Sequence, residues 1–172
     1  MQHVDYLVSA ERAMKQVEKG AFLTVQAGDK VNIMTIGWAS IGFLWGAPMM
    51  TVLVRKSRYT WTIMERAADF TVSVPLVDAT KALEICGTLS GRKVNKREKA
   101  GLDFFPAETV KTPIIDIPGI HYECKVVYKA PLDPAQLIDS YKHLYPEKDF
   151  HTIFFGEIVY CYSTEDEKKR KK

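Results

Sequence analysis

Apolar positions along the chain fall into two periods, and together they predict a mainly β protein with a few short helices. Near the start, Tyr6, Ala10, Ala13, Met14 and Val17 recur at helical spacing, and Gly20 stands where a helix would stop. Three apolar, β-prone segments follow, Ala21 to Gln26, Val31 to Ile36 and Met49 to Val54. The first two are separated by Ala27-Gly28-Asp29-Lys30, a short hairpin connection whose residues tolerate positive φ. Gly37 to Pro48, rich in glycine and aromatics, reads as a connection between the second and third. Ser57 is placed to cap a short helix through Arg66. Asp69 to Val74 then alternates, with Phe70, Val72 and Val74 on one face. Asp78 is the expected cap of a second helix carrying Ala82, Leu83, Cys86 and Leu89, followed by a long irregular segment, Ser90 to Gly119. His121 to Lys129 alternates again. Asp133-Pro134 is expected to open a helix that buries Leu137, Ile138, Tyr141 and Leu144, and Thr152 to Tyr162 is a closing strand. Six or so strands joined mostly by turns predict a small antiparallel barrel, an α+β chain with three to four short helices.

Composition narrows the class. The 172 residues suit one domain, and 47% hydrophobic with 26% charged residues suits a soluble globular protein. Lys and Arg outnumber Asp and Glu by 24 to 21, but Lys168 to Lys172 are all basic, and taking these five away leaves 19 against 21. The excess charge therefore belongs to an end segment. Residues 1–164 are expected to form the domain, and 165–172 a charged, disordered tail. Cys86, Cys124 and Cys161 form no CxxC pair, which argues against a disulfide framework or zinc site and fits a reducing compartment. No signal segment or membrane-length apolar run is evident, so a cytoplasmic location is expected, with no membrane partner.

Four stretches carry candidate chemistry. In Asn32-Ile33-Met34-Thr35-Ile36-Gly37-Trp38-Ala39-Ser40 a strand runs into glycine, where main chain without a Cβ can approach a flat ligand. An ordinary barrel strand with a glycine turn reads the same way. Arg55-Lys56-Ser57-Arg58-Tyr59-Thr60 joins a strand end to a helix start and offers cations and hydroxyls. That is what a phosphomonoester requires; a capped surface helix is the alternative. Arg92, Lys93, Lys96, Arg97 and Lys99 follow Gly91 closely, offset only by Glu98. Such a charge run reads as a solvated face, and no aromatic residue between Ser90 and Leu102 supports nucleic-acid binding. His151 opens the last strand without a nucleophile nearby in sequence, and the four histidines show no metal-ligand spacing.

In this order, NIMTIGWAS, VRKSRYTW, CGTLSGRKVNK and HTIFFGEIV resemble the flavin-reductase-like, FMN-binding split-barrel family, in its flavoredoxin-type branch, from about residue 10 to residue 162. The resemblance implies an antiparallel split β-barrel and a homodimer with FMN at or near the subunit interface. It implies that Asn32, Met34, Thr35, Trp38, Ala39 and Ser40 line the isoalloxazine ring. Arg55, Ser57, Arg58, Tyr59 and Thr60 would hold the ribityl phosphate, and Ser90, Gly91, Arg92, Lys93 and Lys96 would form a second phosphate-side loop. His151 would sit by the flavin and help place the electron donor. The expected activity is an FMN-dependent oxidoreductase fed by NAD(P)H or a reduced protein partner. Alternatives are a flavoredoxin-like electron carrier that does not oxidise NAD(P)H, and a non-flavin barrel docking through its basic loop.

Overall fold

The computed structural model describes residues 2–164, so the charged tail expected at 165–172 lies outside the described residues. Along the chain run β1 (Gln2–His3), α1 (Tyr6–Val17), β2 (Ala21–Ala27), β3 (Lys30–Ile36), β4 (Ala39–Leu44), β5 (Ala47–Arg55) and α2 (Tyr59–Met64). Then come β6 (Asp69–Pro75), α3 (Thr80–Thr88), α4 (Lys96–Ala100), β7 (Phe104–Phe105), β8 (Ile114–Ile115), β9 (Gly119–Pro131), α5 (Asp139–Lys142) and β10 (His151–Ser163). No helix among the described residues is long and apolar enough to cross a membrane.

Every strand pairing is antiparallel. The main sheet runs β3-β2-β6-β9-β10-β5-β4, with β1 added to β10 and with β7-β8 as a separate pair. Its two margins, β3 and β4, are consecutive in the chain and joined only by Gly37 and Trp38. The sheet therefore rolls until its margins meet at that dipeptide without pairing to each other, which makes a barrel with an open seam.

Burial on both faces explains the near-continuous apolar runs. Leu23 and Val25 of β2 enter the main core with Met34, Val52, Val54, Phe70, Val72, Tyr122 and Phe154. Phe22 of the same strand faces a second core with Ile33, Leu83, Cys86, Leu102 and Ile115, beneath α3 and α4. Each large side chain so buried contributes about 1.5–3 kcal/mol. At the start of α1 the Asp5 carboxylate accepts from the N–H groups of Leu7 and Val8 at 2.8 and 3.2 Å.

Several expectations change. Gly37 to Pro48 contains β4, whose exposed outer face hides it from a hydrophobic count. The helix after β5 begins at Tyr59; Arg58 is its extended cap residue, and Ser57 does not cap it. Asp78 does accept from the N–H of Thr80 at 3.0 Å, although Ala79 is the cap residue. The helix expected from Asp133 is absent, because the Asp133 carboxylate accepts from Ala135 N–H at 2.9 Å and closes a local turn instead. Only Asp139–Lys142 is helical there, and Ile138 and Tyr141 are exposed rather than buried.

Candidate functional site

One groove follows the free margin of β3 from Asn32 to Trp38, in three connected clefts. The first, of about 170 Å³, is lined by Met34, Thr35, Ile36, Gly37, Trp38, Leu53, Arg55, Arg58 and His151. The second, of about 110 Å³, shares Met34 and Arg58 with it and adds Ser57, Tyr59, Thr60, Leu89, Ser90, Gly91 and Lys96. The third, of about 500 Å³, shares Tyr59, Gly91 and Lys96 with the second and continues past Arg92, Lys93 and Arg97 to Asp29, Lys30 and Phe104. Because β3 is a margin strand, part of its main-chain N–H and C=O has no neighbouring strand to bond.

The groove thus gathers segments distant in sequence, and individual contacts show how. Asn32 is buried and donates from Nδ2 to Thr60 Oγ1 at 2.7 Å, locking β3 to α2. With its oxygen so engaged, the Thr60 hydroxyl keeps its own proton to donate. Gly91 lies so close to this pair that a Cβ there would stand 2.1 Å from Asn32 Oδ1 and 2.9 Å from Tyr59 Cδ1. Ser90 Oγ accepts from Arg92 N–H at 3.3 Å, and Arg92 donates to the Ser57 carbonyl at 3.2 Å with its guanidinium 5.2 Å from the Tyr59 ring centre. Lys93 is exposed at the rim of the third cleft.

Lys96 is only 6% exposed, and donates to the carbonyls of Ile33 and Cys86 at 3.0 and 2.7 Å. One of its three N–H bonds is left for the cleft. Burial pulls its pKa down to about 8, with the neighbouring Cys86 opposing and Arg58 adding to the shift. His151, 7% exposed, has its pKa pulled down to about 4, first by burial, then by Arg55, with Asp149 opposing and Arg58 assisting. It is a neutral imidazole at pH 7. Its ring lies 4.8 Å from the Trp38 ring, and Nδ1 meets the Tyr145 hydroxyl at 2.9 Å.

Not every expected residue faces the groove in the way its type suggested. Ala39 and Ser40 lie on β4 outside the three clefts, Ala39 against the main core and Ser40 hydrogen-bonded to Thr51 on the exposed face. The Thr35 hydroxyl donates to the Leu83 carbonyl, so main chain is what Thr35 offers the cleft. The Arg55 guanidinium donates to the carbonyls of Asp149 and Leu144 at 2.8 and 3.1 Å. Ser57 gives both its N–H and its hydroxyl to the Asp149 carboxylate. Asp149 and Tyr145 went unforeseen because they follow the last residue expected in the Asp133 helix, in a stretch without periodicity; an acid two residues before His151 was the one available signal.

Chemically, the groove joins a glycine-containing strand margin with an aromatic wall to a region rich in cations and hydroxyls. That geometry can be set beside known proteins. A flavin reductase like domain matches residues 17–171. A protein of Archaeoglobus fulgidus is 31% identical over 139 residues, covering 81% of this chain and 69% of the relative. The crystal structure of flavoredoxin from Methanosarcina acetivorans matches with a TM-score of 0.67 and 30% identity, over 86% of this chain and 69% of that one. An FMN-binding domain of a flavin reductases-like enzyme from Shewanella baltica shares the fold, with a TM-score of 0.68 and 18% identity over 94% of this chain and 75% of that one. The seam-bearing antiparallel sheet is therefore the split β-barrel, and the chain belongs to the flavin reductase like domain family.

Proposed function

We propose that the groove holds FMN and that the protein is a flavoprotein oxidoreductase. The ring would lie along Met34 to Trp38, where an unpaired strand margin offers both donors and acceptors to the pyrimidine edge. The phosphate would lie in the second cleft, among Arg58, Thr60, Ser90, the main chain at Gly91 and Lys96. Bound flavin supplies the hydride and one-electron chemistry; the chain binds and orients it and sets its electrostatic surroundings. The observation that carries this reading is the adjacency of the two clefts, which share Met34 and Arg58 and set a flat-ligand surface beside a cationic recess.

The electron donor is a finer question. The third cleft continues past the phosphate recess with Lys30, Arg92, Lys93 and Arg97 around it, opposed by Asp29. That surplus of cations suits the diphosphate of NAD(P)H and favours a reductase over a flavoredoxin-like carrier. Anaerobic NADH and NADPH should bleach the absorbance of protein-bound FMN; bleaching only by a reduced protein would favour the carrier. A chain whose melting temperature FMN leaves unchanged, and which binds none on titration, would be a non-flavin barrel. Arg58→Ala with Ser90→Ala should weaken FMN binding at least hundredfold, since each charge-assisted hydrogen bond to phosphate contributes about 1.5–3 kcal/mol. Equal FMN affinity in that double variant would remove the phosphate assignment.

The family resemblance also points to a homodimer. For its contact surface we propose the exposed apolar patch of Phe43, Leu44, Trp45 and Tyr128, covered by a second copy of this chain.

A further inference from the structure

Tyr145 stands in the irregular segment between α5 and β10, with its side chain buried against His151. Their 2.9 Å hydrogen bond is satisfied most simply when the phenol is the donor. If the phenol only accepted, its own proton would need a second acceptor, and none is present for Tyr145 Oη among the described residues. With the phenol donating, Nδ1 accepts, and in a neutral imidazole the ring proton then sits on Nε2. Nε2 has no partner among the described residues. The buried side-chain polar atoms that lack a partner there are Thr24 Oγ1 and Tyr162 Oη, so Nε2 is open to the cleft that His151 shares with Met34, Gly37, Trp38 and Arg58.

The phenol is itself held. Arg55 brackets the segment by donating to the carbonyls of Leu144 and Asp149, and its guanidinium lies 4.9 Å from the Tyr145 ring centre. Phe150 packs on the same ring with centroids 4.9 Å apart, and Trp38 meets its edge at 6.1 Å. The charged groups acting on His151 are Arg55, Arg58 and Asp149; burial and the two arginines outweigh the carboxylate and keep the imidazole uncharged.

We propose that Tyr145 is a positioning residue that fixes His151 in its Nε2–H tautomer, so that the imidazole serves the groove as a permanent hydrogen-bond donor rather than as an acid or base. The recipient is an acceptor atom on the ring of the bound flavin. That second half rests on the FMN reading; the tautomer itself does not.

The two halves are tested separately. In two-bond ¹H–¹⁵N correlation spectra at pH 7, with His151 assigned through His151→Gln, the wild-type imidazole should carry its proton on Nε2. In Tyr145→Phe the Nδ1 resonance should move to that of an unbonded ring nitrogen and the Nδ1–H form should appear. A proton on Nδ1 in the wild type, or an unmoved Nδ1 resonance in the variant, overturns the proposal. If the variant does not fold, the wild-type spectrum decides. FMN titration then tests the donor: His151→Leu should lose about tenfold in affinity, the worth of one hydrogen bond, while His151→Gln, which keeps an N–H near the Nε2 position, should retain it within about twofold. Equal affinities for wild type and His151→Leu refute the donor role. Failure of the wild type to bind FMN at all would end the flavin reading and leave the tautomer standing.

Discussion

Two glycines in the groove have opposite reasons for lacking a side chain. A Cβ at Gly37 would approach only the Val17 carbonyl, at 3.7 Å, so the protein itself leaves room for one. Gly37→Ala should therefore keep the wild-type melting temperature or gain about 0.4–1 kcal/mol from a stiffer unfolded chain. Its FMN affinity should nonetheless fall, because the added methyl would meet the ring; an unchanged affinity would move the ring elsewhere. At Gly91 the obstacle is internal, for a Cβ would strike Asn32 and Tyr59. Gly91→Ala should lose about 1–3 kcal/mol of stability in urea unfolding, together with FMN binding. Sequence alone marked Gly37 as a place of close approach to a flat ligand, but the side chains that crowd Gly91 come from distant segments and could not be read from it.

Lys96 carries a pH dependence with two opposite signs. Its folded pKa of about 8 lies below the usual lysine value of 10.5, so between the two the unfolded chain binds more protons. Stability from this group therefore rises with pH across that window, and the cost of burying its charge is full below pH 8. Urea unfolding should show wild type gaining on Lys96→Met between pH 8 and 10. FMN affinity should fall over the same range as the cation beside the phosphate is lost. A stability gap that does not change with pH would refute the buried-charge account.

Among the elements, those with two-period alternation or helical spacing were readable, including α1, the β2-β3 hairpin, β6, β9 and β10. Margins were not. The end of β4 is open on both faces, with the consecutive residues Phe43 and Leu44 both exposed, so the strand lacks the buried alternation that would reveal it. The 133–150 segment misled in the other direction: its apolar residues fit a helix, but Tyr145 turns to His151 and the main chain is tied to Arg55. Nor did the pattern explain Glu123, fully buried on β9. Its carboxylate accepts from Glu108 N–H at 2.8 Å, Thr109 N–H at 2.7 Å and the Thr109 hydroxyl at 2.6 Å, tethering the loop before β8. Glu123→Gln replaces an acceptor with a donor there and should cost about 1–3 kcal/mol. Amide exchange at Glu108 and Thr109 should quicken while FMN affinity stays constant, since neither residue lines the groove.

At the scale of the molecule, the four motifs fixed the family resemblance, and nearly all of the expected residues do line one groove. What they could not supply is the order of strands, because pairing depends on contacts far apart in the chain. The two-residue turn between β4 and β5 is informative here. Trp45 (φ 53°) and Gly46 (φ 75°) both take left-handed conformations, and a tryptophan there costs about 1–2 kcal/mol. Its ring, 68% exposed in residue terms, packs edgewise on Tyr128 and Phe155 at 5.9 and 5.6 Å. Trp45→Asn should ease the turn, keep the fold, and shift sedimentation of the proposed dimer toward monomer. A dimer that persists would place the contact elsewhere.

The dipeptide Gly37-Trp38 has one more mechanical meaning. Two residues of chain reach only about 7 Å, so beside the dipeptide the margins of the rolled sheet are held together by the backbone itself. Farther along β3 that restraint passes to side chains, Asn32 on Thr60 and Lys96 on the Ile33 carbonyl, and beyond them Lys30 is exposed. Tolerance for bulk must follow the same order: strict for whatever rests near the dipeptide, generous for what extends beyond it.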